Sequence, residues 1–201
     1  MRAWQVIVLA LILWVPSAFI RPPTRQQELR VLVTGRNMVQ SGHFLRPEFQ
    51  NQPRFRKPPM AYWISAAGFG LTGQYHSAWA GRLFFLLFAC GGLWLLMHIS
   101  QTAGMSTALL ALFTFGFWRF APQAETDFLQ LAGILPVVYA WQRQAGFMAG
   151  IGVSFACLSK GPAGIIIPSA MFLLLARIYR PTRSFILWGL LLPAVLIGSW
   201  A

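Results

Sequence analysis

Glu28, Glu48, Glu125 and Asp127 are the four carboxylates of this 201-residue sequence, and Lys57 and Lys160 are its two lysines. They are the side chains best suited to acid–base or anion chemistry. In Gln26-Gln27-Glu28-Leu29-Arg30, Glu28 opens a helical stretch. There it either complements the helix dipole or serves as a general base or metal ligand facing a pocket at a membrane surface. Lys57 follows Arg56 and precedes Pro58-Pro59. A lysine is a point charge for phosphate, and arginine adds a bidentate grip. The prolines stiffen the chain at that point, although an interfacial anchor would carry the same residues. Glu125-Thr126-Asp127 sets two acids two residues apart, after Arg119. They could cap a helix from 128 or pair with Arg119. Placed opposite Glu28, they could instead share a cation or orient an acceptor nucleophile. Ser159-Lys160-Gly161-Pro162 reads as a hairpin turn whose charge suits an anion. It lacks the glycine-rich part of a nucleotide phosphate loop. Arg82 falls early in an apolar run, where it snorkels to the interface or faces a polar interior or partner.

The elements that hold these residues belong to a membrane. The chain is 57% hydrophobic and 10% charged, with mean hydropathy +0.58; soluble domains are about a quarter charged. In that setting a net charge of +12 points to anionic headgroups, phosphate ligands and topology signals, and not to nucleic acid. Cys90 and Cys157 lie inside apolar runs and read as small core residues. His43, His76 and His98 show no metal-ligand spacing.

Apolar runs predict spans at 4–20, 77–99, 103–118, 128–142, 144–159, 163–177 and 184–201. The first resembles a signal peptide, with Arg2 ahead and Val15-Pro16-Ser17-Ala18 as a cleavage-like stretch. The later spans favour an uncleaved first helix. Residues 60–72 are too short to span and read as interfacial, with Tyr62 and Trp63 as belt aromatics. Residues 26–41 predict an amphipathic surface helix, with Leu29, Leu32, Val33 and Arg36 on one face, suited to holding anionic lipid.

With the N-terminus cytoplasmic, Arg2, Arg143, Arg177, Arg180 and Arg183 form a positive-inside set. All four acids, Lys57 and Lys160 then share the outer side. The polar loop 21–58 carries eight of the sixteen bases outside, against the positive-inside rule. Either the topology is inverted or those charges have a task.

The ordered motifs resemble a known family. They run Glu28-x-Arg30, Arg36-x-Met38, Ser41-Gly42, Pro47, Lys57-Pro58-Pro59 and Tyr62-Trp63. Ala80-Gly81-Arg82-Leu83, Thr126-Asp127 and Ser159-Lys160-Gly161-Pro162 follow. Over residues 1–165 the set resembles the N-terminal half of the bacterial aminoarabinose transferases, related to the protein O-mannosyltransferases of the GT-C class. The resemblance implies an all-α, polytopic bundle of membrane helices in the bacterial inner membrane. Its first extracytoplasmic loop, 21–59, would carry amphipathic helices. It also implies transfer of a sugar from a polyprenyl-phosphate carrier to an anionic lipid or glycan acceptor, such as lipid A. By the same resemblance Glu28 and Asp127 are candidate catalytic acids. Arg30, Lys57, Arg82 and Lys160 are candidate substrate-binding residues, with Lys57 at the donor phosphate. A divalent cation between Glu28 and Asp127 would suit hard oxygen ligands; the metal stays open.

The sequence departs from the family pattern at three points. The family's catalytic aspartate maps to Gln27, whose amide is no base, so Glu28 takes over or the activity is lost. Arg56 stands where the family has Glu. Family members are more than twice this long, so the chain reads as a truncated form. An inactive homologue that only binds anionic lipid or a membrane partner is the competing reading. A transporter has less support, because the spans lack buried acidic relays.

Overall fold

In the computed structural model, residues 3–50, 52–100, 103–176 and 180–198 are described. Arg2, Arg177 and the Trp200-Ala201 end of the last predicted span lie outside them. The described chain is a helical bundle with one two-residue hairpin. Its elements are α1 (Ala3–Ile20), α2 (Gln26–Ser41), β1 (Glu48–Phe49), β2 (Gln52–Pro53), α3 (Met60–Thr72), α4 (Ala78–Ile99), α5 (Gly104–Phe113) and α6 (Phe115–Phe120), followed by α7 (Thr126–Gln142), α8 (Gly146–Lys160), α9 (Ala163–Leu175) and α10 (Arg183–Gly198). β1 and β2 are antiparallel, with Glu48 opposite Pro53.

Two helices, α1 and α4, are long and apolar enough to cross a bilayer. Ile20, Leu110, Leu173 and Leu174 are each more than 70% exposed. Large side chains so exposed across several helices are an outer surface made for lipid. α3 has 13 residues, a length of about 20 Å, against a hydrocarbon thickness of about 30 Å. It packs between α2 and α4. Tyr62 is 1% exposed and accepts a hydrogen bond from Arg54 Nε (3.2 Å). It is a core residue and not a belt aromatic. Trp63 donates through Nε1 to the Phe44 carbonyl (2.7 Å).

The predicted span 103–118 is broken. Thr114 is extended (φ −68°, ψ 144°), ends α5 and caps α6, accepting from the Phe117 amide. A threonine hydroxyl that bonds local backbone competes with helix continuation.

α2 begins and ends where the sequence places it, closed by Gly42 in the left-handed conformation (φ 75°). Its buried face is Glu28, Val31, Leu32, Gly35 and Met38, about one residue's rotation from the expected one. Leu29 is 42% exposed.

α7 and α8 form an antiparallel pair held close by glycines. A Cβ on Gly133 would fall 2.7 Å from the Ala156 amide nitrogen, and one on Gly152 would fall 2.7 Å from the Gly133 carbonyl. Small residues at such a crossing let two membrane helices meet backbone to backbone. The pairing puts the start of α7, with Asp127, beside the end of α8, with Lys160.

Candidate functional site

Lys57, Thr126, Asp127 and Lys160 gather where α2, the 54–59 loop, the start of α7 and the end of α8 converge. Lys57 sits half-buried and donates to Thr126 Oγ1 (3.5 Å). Gln27 donates to the same oxygen through Nε2 (2.9 Å). Asp127 pairs with Lys160, and both are exposed. Gly161 has φ 72° and ψ −140°, a region that residues with a Cβ rarely enter. That kink turns the chain out of α8. A Cβ there would lie 3.7 Å from Pro58 Cγ, so the Lys160-Gly161 turn rests against the Lys57-Pro58-Pro59 turn.

Burial pushes the Lys57 ammonium below its ordinary pKa, Asp127 pulls it back up, and Lys160 and Arg54 press it down again. The cluster therefore offers a cationic, partly desolvated patch with one exposed carboxylate at its edge. Such a patch would stabilise an incoming phosphate, which would relieve the mutual repulsion of the cations.

Glu28 turns inward, and Arg82 takes the second of the two settings the sequence allows it, facing a buried partner. Glu28 is 1% exposed and Arg82 is fully buried. Arg82 Nε donates to Glu28 Oε1 (2.8 Å), and the Ala124 amide donates to the same oxygen (3.2 Å). Arg82 Nη1 donates to the carbonyls of Ala18 (2.8 Å) and Arg21 (2.6 Å). The last carbonyls of a helix have no intrahelical partner, and here a guanidinium from α4 satisfies the end of α1. Arg82 thus ties together α1, α2 and α4 through Nε and Nη1, while its buried Nη2 has no hydrogen-bond partner. The sequence alone does not show this pairing. The physical reason is distance in sequence: the partners are 54 residues apart, and nothing local to Glu28 announces them.

Arg30 is bonded along its own helix to Gln26 Oε1 (3.3 Å). Glu125 is 1% exposed and pairs with Arg25 (2.8 Å), not with Arg119. Burial raises its carboxyl pKa, and Arg25 only partly offsets that. Glu28 and Asp127 are each occupied by a basic side chain. Among the described residues no three His, Cys, Asp or Glu side chains converge as a metal-ligand set. Sequence reasoning named Thr126 in the Thr126-Asp127 motif but gave it no role, and it did not single out Arg25. Thr126 is marked by that motif and by its place between two rare acids, and Arg25 has no local signal.

The comparisons agree with this architecture. ArnT from Cupriavidus metallidurans superimposes with a TM-score of 0.85 as solved bound to undecaprenyl phosphate and 0.83 in the apo state, at 22% identity. In both cases 98% of this chain and 40% of that chain are covered, so the fold is the GT-C membrane fold. Two uncharacterized proteins of Aquifex aeolicus (strain VF5) are 30% and 29% identical over 182 and 174 residues. Those alignments take in 83% and 82% of this chain but 36% and 39% of the relatives. The chain therefore spans well under half the length of the proteins it matches. Residues 56–200 match the family described as dolichyl-phosphate-mannose-protein mannosyltransferase. That match runs from the Lys57 turn through the α7–α8 pair into the last helix, and the chain belongs to this family of membrane glycosyltransferases.

Proposed function

We propose that the chain supplies the donor-phosphate half of a glycosyltransferase site on the extracytoplasmic face of the bacterial inner membrane. The donor is a polyprenyl-phosphate sugar, and the acceptor is an anionic envelope lipid or glycan such as lipid A. The observation that carries this reading is the meeting of Lys57, Thr126, Asp127 and Lys160 at one end of the bundle.

The chemistry follows from charge. When the bond between the anomeric carbon and the phosphate oxygen breaks, its electron pair stays with the polyprenyl phosphate. Lys57 and Lys160 are fixed where they stabilise that growing negative charge. Asp127, at the exposed edge, orients or deprotonates the acceptor once Lys160 turns to the phosphate. Gln27 holds Thr126, and through it Lys57, without acting as a base. The buried Glu28–Arg82 pair is a positioning element: it fixes α2, and hence Gln27, against α4. The undecaprenyl phosphate bound in the ArnT structure supports a lipid-linked donor for this chain.

A second reading has its own observation. Gln27 carries an amide where the resemblance expects an aspartate, and Asp127 is already paired. A chain that binds the donor without transferring the sugar fits both facts. The discriminating experiment follows release of labelled sugar from a polyprenyl-phosphate donor by the parent chain, Gln27→Asp and Asp127→Asn. Release by the parent that Asp127→Asn removes supports transfer. Release only by Gln27→Asp, with equal donor binding throughout, supports the binder.

A further inference from the structure

A second cationic feature lies on the opposite side of α2. Arg36 follows Gln27 by nine residues, which at about 100° per residue turns it to the far face of the helix. There a cavity of about 110 Å³ opens between α2, the end of α3 and the start of α4. Arg36, Tyr75, His76 and Ser77 give it polar atoms, and Leu29 and Phe69 give it an apolar wall. A cavity of this size takes several waters and therefore a tetrahedral oxyanion.

The cavity lacks an internal counter-ion. Arg36 Nε is buried with no hydrogen-bond partner, and the Ser77 side chain leaves the first turn of α4 uncapped. The four carboxylates of the sequence are all taken by other cations: Glu28 by Arg82, Glu48 by Arg46, Glu125 by Arg25 and Asp127 by Lys160. Arg36 as a whole is half-buried, and an anion from outside would match its enclosed Nε. Leu29, 42% exposed at the rim, gives such an anion an apolar continuation.

We propose that this cavity binds the phosphate headgroup of an anionic phospholipid, with Arg36 as the principal donor and the first part of the acyl chain against Leu29 and Phe69. A free phosphate would use the same donors but gain nothing from the apolar wall. The site is separate from the Lys57 cluster and stands or falls independently of it.

The test is a titration of the detergent-purified chain with short-chain phosphatidylglycerol, read by native mass spectrometry. Phosphatidylcholine serves as reference, and the variants are Arg36→Gln, Leu29→Trp and Lys57→Ala. The expected result is at least a tenfold loss of phosphatidylglycerol affinity in Arg36→Gln and in Leu29→Trp, which fills the cavity from a partly exposed position. Lys57→Ala should bind like the parent. If Arg36→Gln does not fold, Leu29→Trp carries the comparison. Unchanged affinity in the folded cavity variants overturns the proposal. So does a loss confined to Lys57→Ala. Equal competition by inorganic phosphate would make this a free-anion site and overturn the lipid assignment.

Discussion

Replacing Arg82 by alanine strands a carboxylate. Glu28 would keep one hydrogen bond, from the Ala124 amide, and lose the guanidinium at 2.8 Å. The Ala18 carbonyl at the end of α1 would lose its donor too. Breaking a buried ion pair from one side costs about 3–5 kcal/mol. For a domain of this size each kcal/mol moves the melting temperature by roughly 2–4 °C, so Arg82→Ala should melt about 6–20 °C below the parent. Glu28→Gln should fall less, because the glutamine carbonyl can still accept from both Arg82 Nε and the Ala124 amide. The double variant Glu28→Leu/Arg82→Met removes both charges and should recover much of the loss, giving a large coupling in a double-mutant cycle. Thermal unfolding in detergent, followed by circular dichroism, reads all four proteins. The reasoning is refuted if Glu28→Gln and Arg82→Ala both melt within about 2 °C of the parent while sugar release disappears. Glu28 would then be acting on the substrate and not on the fold.

Other consequences follow from the same geometry. Gly161→Ala places a Cβ at φ 72° and should cost about 1–3 kcal/mol in backbone strain; chemical denaturation measures that, and donor affinity should drop as Lys160 moves. Because burial depresses the Lys57 pKa, donor binding should fade with rising pH at a midpoint below the ordinary lysine value of 10.5. Lys57→Arg, which stays charged, should keep binding through that range in the same titration. Glu125 has a folded-state pKa above its unfolded value. Its contribution to stability is therefore full below the unfolded carboxyl pKa and lost as pH rises through the raised folded one. Melting temperatures across that window should decline in the parent and flatten in Glu125→Gln.

The helices were largely legible because hydropathy and end signals are local. The run before Gly42 marks α2 to the residue, and the limits of α4 and α7 fall within two residues of the apolar runs. What failed was long-range. Counting Leu29, Leu32, Val33 and Arg36 as one face is sound arithmetic. Yet the helix turns Glu28 inward, because Arg82 compensates a charge that otherwise could not be buried. The break at Thr114 depends on one hydroxyl taking a local carbonyl, a choice that hydropathy does not encode. In the site, Lys57, Asp127 and Lys160 stood out as rare charges in an apolar chain. Their proximity comes from the glycine-lined α7–α8 crossing and the Gly161 turn. Arg25 and Glu125 meet across 100 residues, and no pattern in either neighbourhood foretells it.

The central claim, that Lys57 and Lys160 hold a lipid-linked phosphate, is tested most directly by equilibrium binding of undecaprenyl phosphate in nanodiscs of neutral lipid. The parent, Lys57→Ala and Lys160→Ala should be compared with Arg143→Ala, at the end of α7 away from Asp127. The account predicts saturable binding in the parent and in Arg143→Ala. It predicts roughly tenfold or greater loss in each lysine variant, as expected for removing a charge-assisted contact. Saturable binding that both lysine variants retain in full would contradict it.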